Sequence, residues 1–156
     1  MRLCLFVLLL AACSAPAPES EGGPTEGGAT DLPDAVTSDE LAIARAMWTD
    51  AALGGYTMTI TRSCFCPPEY RGPYTVAVDG GEVASVTYEG RPAEVGEPPT
   101  VDALFALLES AYAEGAARVD VTYHDELGYP LELWIDRDER LADEEIGYAI
   151  SELIER

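Results

Sequence analysis

Apolar residues recur along this chain with two periods, and the period changes where glycine and proline gather. After Thr37-Ser38-Asp39-Glu40, the positions Leu41, Ala44, Trp48 and Ala52 fall on one face of a helix; Thr37 or Ser38 can cap it and Gly54-Gly55 stops it. Tyr56, Met58 and Ile60 then alternate with Thr57, Thr59 and Thr61, which predicts a strand. Tyr74 to Val78 and Val83 to Tyr88 read as two more, joined at Asp79-Gly80-Gly81, where glycine supplies the positive φ of a tight hairpin. Pro98-Pro99-Thr100 opens a second helix with Val101, Leu104, Phe105, Leu108 and Tyr112 on one face. Strands follow at Arg118 to Tyr123 and Leu131 to Ile135, and the alternation of Ile146, Tyr148 and Ile150 predicts a last strand to about Leu153, with a helix as the alternative. Gly147 weakens both readings of that segment.

The order helix–strand–strand–strand therefore occurs twice, without a residue-level repeat. The economical packing is an α+β fold: two helices on one face of a mostly antiparallel sheet of about six strands, order αβββαβββ.

The chain ahead of this pattern reads differently. Met1-Arg2, an apolar run from Leu3 to Leu10 and Ala11-Ala12-Cys13 have the basic, apolar and small-residue parts of an export signal. The apolar run is about half the ~20 residues a spanning helix needs. Leu10-Ala11-Ala12-Cys13 looks like a bacterial lipobox, in which the Cys13 thiol takes a diacylglyceryl group and cleavage makes it the new N-terminus; the competing reading is a chance cysteine in a plain signal. Two or three acyl chains, at ~0.8 kcal/mol per buried CH₂, hold stably where one does not. Cys4 lies in the discarded segment. Residues from Ser14 to about 37 are mostly Ser, Ala, Pro, Glu, Gly and Thr, and their acids are unanswered by any basic residue, so the segment should be a disordered tether spanning roughly 25–30 Å. The expected organisation is a signal peptide over 1–12, the lipidated cysteine and acidic tether over 13–37, and one α+β domain over 38–156.

Charge narrows the partners. The formal net charge is −20, and every one of the nine basic residues is arginine. Nucleic acid is argued against, because neutralising phosphates requires a basic face. Adsorption to an anionic bilayer surface is argued against for the same reason, leaving the acyl anchor as the expected membrane contact. A hydrophobic content of 47% still provides for a core.

Trp48 ahead of Tyr56-Thr57-Met58-Thr59-Ile60-Thr61-Arg62-Ser63-Cys64-Phe65-Cys66, then Val78-Asp79-Gly80 and Leu104-Phe105, resembles the DUF6174 family of uncharacterised bacterial lipoproteins. In the second half Val121-Thr122-Tyr123-His124-Asp125, Gly128-Tyr129-Pro130, Ile135-Asp136 and Asp143 to Tyr148 match the same pattern. The resemblance covers roughly residues 45 to 154 and implies an exported domain with no activity to carry over. His124 departs from it, since the family pattern runs from Tyr directly to Asp.

Cys64 and Cys66 are the sharpest candidates for chemistry. At i and i+2 on a strand both sulfurs point to one face, and once Cys13 is lipidated they are the remaining thiols. A disulfide prefers Cα atoms ~5.5–6 Å apart, closer than an extended strand gives, so the chain would have to curl at Phe65-Cys66-Pro67-Pro68. A disulfide, a redox pair, a soft-metal site and two free buried thiols stay open, the metal reading lacking the further Cys or His ligands that zinc wants.

His124 reads as a turn residue before Gly128-Tyr129-Pro130, with no serine set as a nucleophile elbow to make it catalytic. The acids of Asp136-Arg137-Asp138-Glu139 and Asp143-Glu144-Glu145 could chelate calcium, but Leu141 stands where a calcium-binding loop needs glycine, and a solvated turn explains them. Tyr56, Tyr74, Tyr88, Tyr123, Tyr129, Tyr148 and Trp134 lie on or near strands, as a binding face or as core and rim; Tyr129 and Trp134 are the binding candidates. No catalytic residue, cofactor or metal is expected. The sequence thus predicts a non-enzymatic binding module of the cell envelope, anchored to the bilayer and facing an envelope protein; a thiol-redox or metal-handling lipoprotein using Cys64-Phe65-Cys66 is the alternative.

Overall fold

The alternating run that opens at Gly55 becomes the middle of the molecule. In the computed structural model, which describes residues 33–93, 98–141 and 143–156, the elements are α1 (Pro33–Ala51), β1 (Gly55–Cys64), β2 (Tyr74–Asp79), β3 (Glu82–Tyr88), β4 (Arg91–Pro92), α2 (Val101–Glu114), β5 (Arg118–Tyr123), β6 (Pro130–Asp136) and β7 (Ile146–Glu155), with a short 3₁₀ turn at Pro68–Tyr70. The predicted signal peptide, the lipidation site Cys13 and the tether as far as residue 32 lie outside the described residues. All strand pairs are antiparallel, in the order β4-β3-β2-β1-β7-β6-β5.

The α+β class holds, and two details of the expectation are corrected. The sheet has seven strands rather than about six, because Arg91-Pro92 doubles back against Thr87-Tyr88 after the Glu89-Gly90 turn. A two-residue strand leaves no periodic signal to read. Helix α1 begins at Pro33, ahead of the Thr37 or Ser38 cap, so the last five residues of the predicted tether are helical. Proline suits a first helical position because its missing N–H has no partner there.

One face of the sheet carries the core. Tyr56, Met58 and Ile60 of β1, Tyr74, Val76 and Val78 of β2, Leu133 and Ile135 of β6 and Ile150 of β7 form one buried cluster with Leu41, Ala44 and Trp48 of α1 and the apolar face of α2. An Arg45–Asp102 ion pair of 3.0 Å ties the two helices, with the Arg45 guanidinium 5.0 Å from the Phe105 ring centroid. The β5–β6 turn is held against α1 by Gly128, whose φ is +73° and where an added Cβ would lie 2.3 Å from the Ala44 carbonyl oxygen. Strand β7 begins at Ile146 and is a strand throughout, as the alternation predicts.

Candidate functional site

Alternation fixes the opposite face as well. Thr57, Thr59, Thr61 and Ser63 of β1, Thr75 and Ala77 of β2, Glu132 and Trp134 of β6 and Ala149 of β7 point away from both helices, by the same register that buries their neighbours. No described helix covers this face. On it stands Trp134, 36% exposed. Trp134 pairs with Gly147 across to β7, and Gly147 pairs with Ser63 on β1. A Cβ at Gly147 would lie 2.8 Å from Trp134 Cε3 and 3.3 Å from Ser63 Cβ, so the indole lies across the glycine toward the central strand.

Open grooves flank the indole. One of about 390 Å³ runs past Thr61, Arg62 and Ser63 to Cys64, Phe65, Arg71 and Glu145; the other, about 370 Å³, is bordered by Asp120, Thr122 and Glu132. Asp120 is paired with Arg118 at 2.6 Å.

The two binding candidates read from the sequence separate here. Tyr129 is only 4% exposed, its ring 4.7 Å from the His124 ring centroid and 6.1 Å from that of Trp48. It packs in the core, its ring turned toward Trp48 of α1. The other sheet tyrosines face the same way, with Tyr56 and Tyr74 buried and Tyr88, Tyr123 and Tyr148 half-buried. Trp134 alone of the aromatic residues considered stands on the open face.

Cys64 and Cys66 are joined as a disulfide with a Cα–Cα separation of 5.3 Å. Strand β1 stops at Cys64 and the chain curls through Phe65 and Cys66, which brings the Cα atoms closer than an extended strand would. Phe65, caught between the two cysteines, is turned out and 81% exposed. Arg71 holds the loop by donating from Nε to the Cys66 carbonyl at 3.1 Å.

The remaining sequence candidates are occupied locally. His124 Nδ1 accepts from the backbone N–H groups of Glu126 and Leu127, both at 3.2 Å, and so closes the β5–β6 turn. Asp138 is gripped by Arg140 at 2.9 Å, and that side-chain bond, with a backbone N–H, holds its carboxyl below the usual range. The Asp138 N–H donates to the Glu144 carboxylate, so these acids serve the turn before β7. A feature the sequence reading missed lies on the helix side of the sheet: Arg62, two residues beyond Ile60 on the inward face, beside Tyr148 and Tyr74. A cation continuing an apolar alternation was its readable signal.

Neither the curated proteins nor the solved structures gave a match to this chain. Residues 40–155 match the model of a family of unknown function, DUF6174, and since that match spans most of its length, the chain belongs to this family.

Proposed function

We propose that this domain is a non-enzymatic interaction module of the bacterial cell envelope, lipid-anchored through Cys13, which docks a basic partner protein on the open face of its sheet. The observation that carries the reading is Trp134, held 36% exposed on a face that no described helix covers. Phe65 adds a second exposed ring at one end of the same groove. Glu132, Glu145 and Asp120 border the indole, in a chain of net charge −20. A lysine or arginine of the partner would stack on Trp134 while the carboxylates steer its approach. Among the described residues no helix is long and apolar enough to cross a membrane; the proposed attachment is the acyl group on Cys13.

The test is a photo-crosslinking residue placed at Trp134 in intact cells. It should trap a basic envelope protein that the same probe at Ile43, exposed on α1, does not. The trapped protein, purified, should bind the Trp134→Ala variant about tenfold more weakly, as for an aromatic anchor, and more weakly as salt rises. Equal capture at both positions, or unchanged affinity in the variant, rejects the reading.

A second reading, thiol–disulfide exchange, is favoured by the placement of Cys64 and Cys66 on either side of the exposed Phe65. A partner dithiol would give two electrons and two protons to the Cys64–Cys66 bond and leave as a disulfide. Equilibration with glutathione decides: a potential above about −250 mV supports exchange, and one below about −300 mV marks a structural bridge. Metal handling would need the same sulfurs as thiolates, and two fall short of a four-ligand set.

A further inference from the structure

Strand β1 places Arg62 on its inward face, in line with Met58 and Ile60. It pairs with Tyr148 of β7, and its guanidinium carbon stands 5.9 Å from the Tyr148 ring centroid. A cavity of about 30 Å³ opens there, walled by Ile60, Tyr70, Tyr74, Pro98, Pro99 and Tyr148 around Arg62. Arg62 Nε is fully buried and has no hydrogen-bond partner among the described residues.

Among the described residues Arg45 Nη1 and Arg137 Nη1 are likewise buried without a hydrogen bond, but both belong to an ion pair. Arg45, Arg118, Arg137 and Arg140 each have a carboxylate within 4 Å, and Arg71 donates to a backbone carbonyl. Acids outnumber bases 29 to 9, so carboxylates are not scarce, yet among the described residues no ion pair reaches Arg62. A buried, charged donor without an acceptor is costly, and a ligand supplying the acceptor would recover that cost. Among the described residues Glu69 stands near the cavity: its backbone carbonyl accepts from the Tyr74 hydroxyl, and its side chain is exposed.

We propose that this cavity binds a carboxylate on an apolar stem, the carboxylate meeting Arg62 and the stem lying against tyrosine and proline. The volume sets the head group: about 30 Å³ is room for two or three water-sized groups, which matches the two oxygens of a planar carboxylate. A guanidinium engages that head through parallel N–H bonds. The stem could belong to a free organic acid or to the C-terminal residue of a peptide, since the head group is the same. The cavity opens on the helix side of the sheet, and although Arg62 also borders the Trp134 groove, the proposal does not rest on the docking reading.

The test follows the Arg62 Nε–H resonance by NMR in the intact domain. Benzoate should shift it saturably, whereas benzamide, of the same shape without charge, should not. A short peptide ending in phenylalanine separates the sources: a tighter response to the free than to the amidated C-terminus assigns a chain end, and a response to benzoate alone assigns a small acid. Arg62→Gln should weaken binding at least tenfold, read from ligand-side line broadening. The proposal is overturned if neither benzoate nor the free peptide gives a saturable shift, or if benzamide and the amidated peptide shift the resonance equally. Those comparisons use the native chain, so they decide even if the variant does not fold.

Discussion

Gly147 shows how a single residue ties the fold to the face it presents. Read along the chain, it weakens either assignment of the last segment. Across the sheet it is the floor on which the Trp134 indole lies, with room for a hydrogen but not a methyl. Its φ is not in the left-handed region, so alanine there would press on the indole rather than strain the backbone. Gly147→Ala should lower stability by about 1–2 kcal/mol, as overpacking does, and shift the Trp134 emission as the ring lifts toward water. Urea unfolding and fluorescence check this; an unchanged spectrum at wild-type stability would mean that the ring does not rest on Gly147. The outward position of Trp134 was legible from alternation. Its contact with Gly147 was not, because the two lie on different strands and their register is set by the sheet. The inward turn of Tyr129 was not legible for a related reason: beside a turn, alternation does not say which way a ring points.

At the scale of elements, the start of α2 is fixed by two groups from outside the helix. Thr100 caps it, its hydroxyl accepting from the Ala103 N–H at 3.2 Å, and the Tyr56 hydroxyl of β1 accepts from the Val101 N–H at 2.9 Å. These satisfy two of the four N-terminal N–H groups a helix leaves unpaired. Thr100 ends the Pro98-Pro99-Thr100 segment that opens this helix in the sequence. The Tyr56 contribution spans 45 residues and had no local signal. Tyr56→Phe removes only the acceptor and leaves a buried N–H unpaired, so it should cost about 1–3 kcal/mol while preserving the fold. A denaturation midpoint equal to wild type would show that Val101 does not depend on it. Helices and long strands were legible because each repeats its period over several turns or pairs. Strand β4 has two residues and no period, and the early start of α1 rests on a proline in a segment whose composition otherwise reads as tether.

The whole molecule combines an acidic exterior with phenols turned inward, and this predicts its response to alkali. Burial, opposed by the Val101 N–H bond, pushes Tyr56 up to about 12, and burial raises Tyr123, Tyr74, Tyr129 and Tyr148 as well. Below the ordinary phenol value of about 10 both folded and unfolded chains hold these protons, and stability is unaffected. As pH rises from about 10 toward 12 the unfolded chain ionises first, binds fewer protons, and is favoured. Stability should therefore fall across that interval, and phenolate absorbance should rise together with unfolding. Those five tyrosines titrating near 10 in a chain that stays folded would contradict the burial described.

If a partner covers the Trp134 face in place, hydroxyl-radical footprinting will reveal it. The purified domain and the same chain in freshly isolated envelopes are labelled alike, and oxidation is read residue by residue. Trp134 and Phe65 should be oxidised in the purified domain and protected several-fold in envelopes, with Ile43 on α1 labelled equally in both. Equal labelling of Trp134 in the two samples would contradict the account.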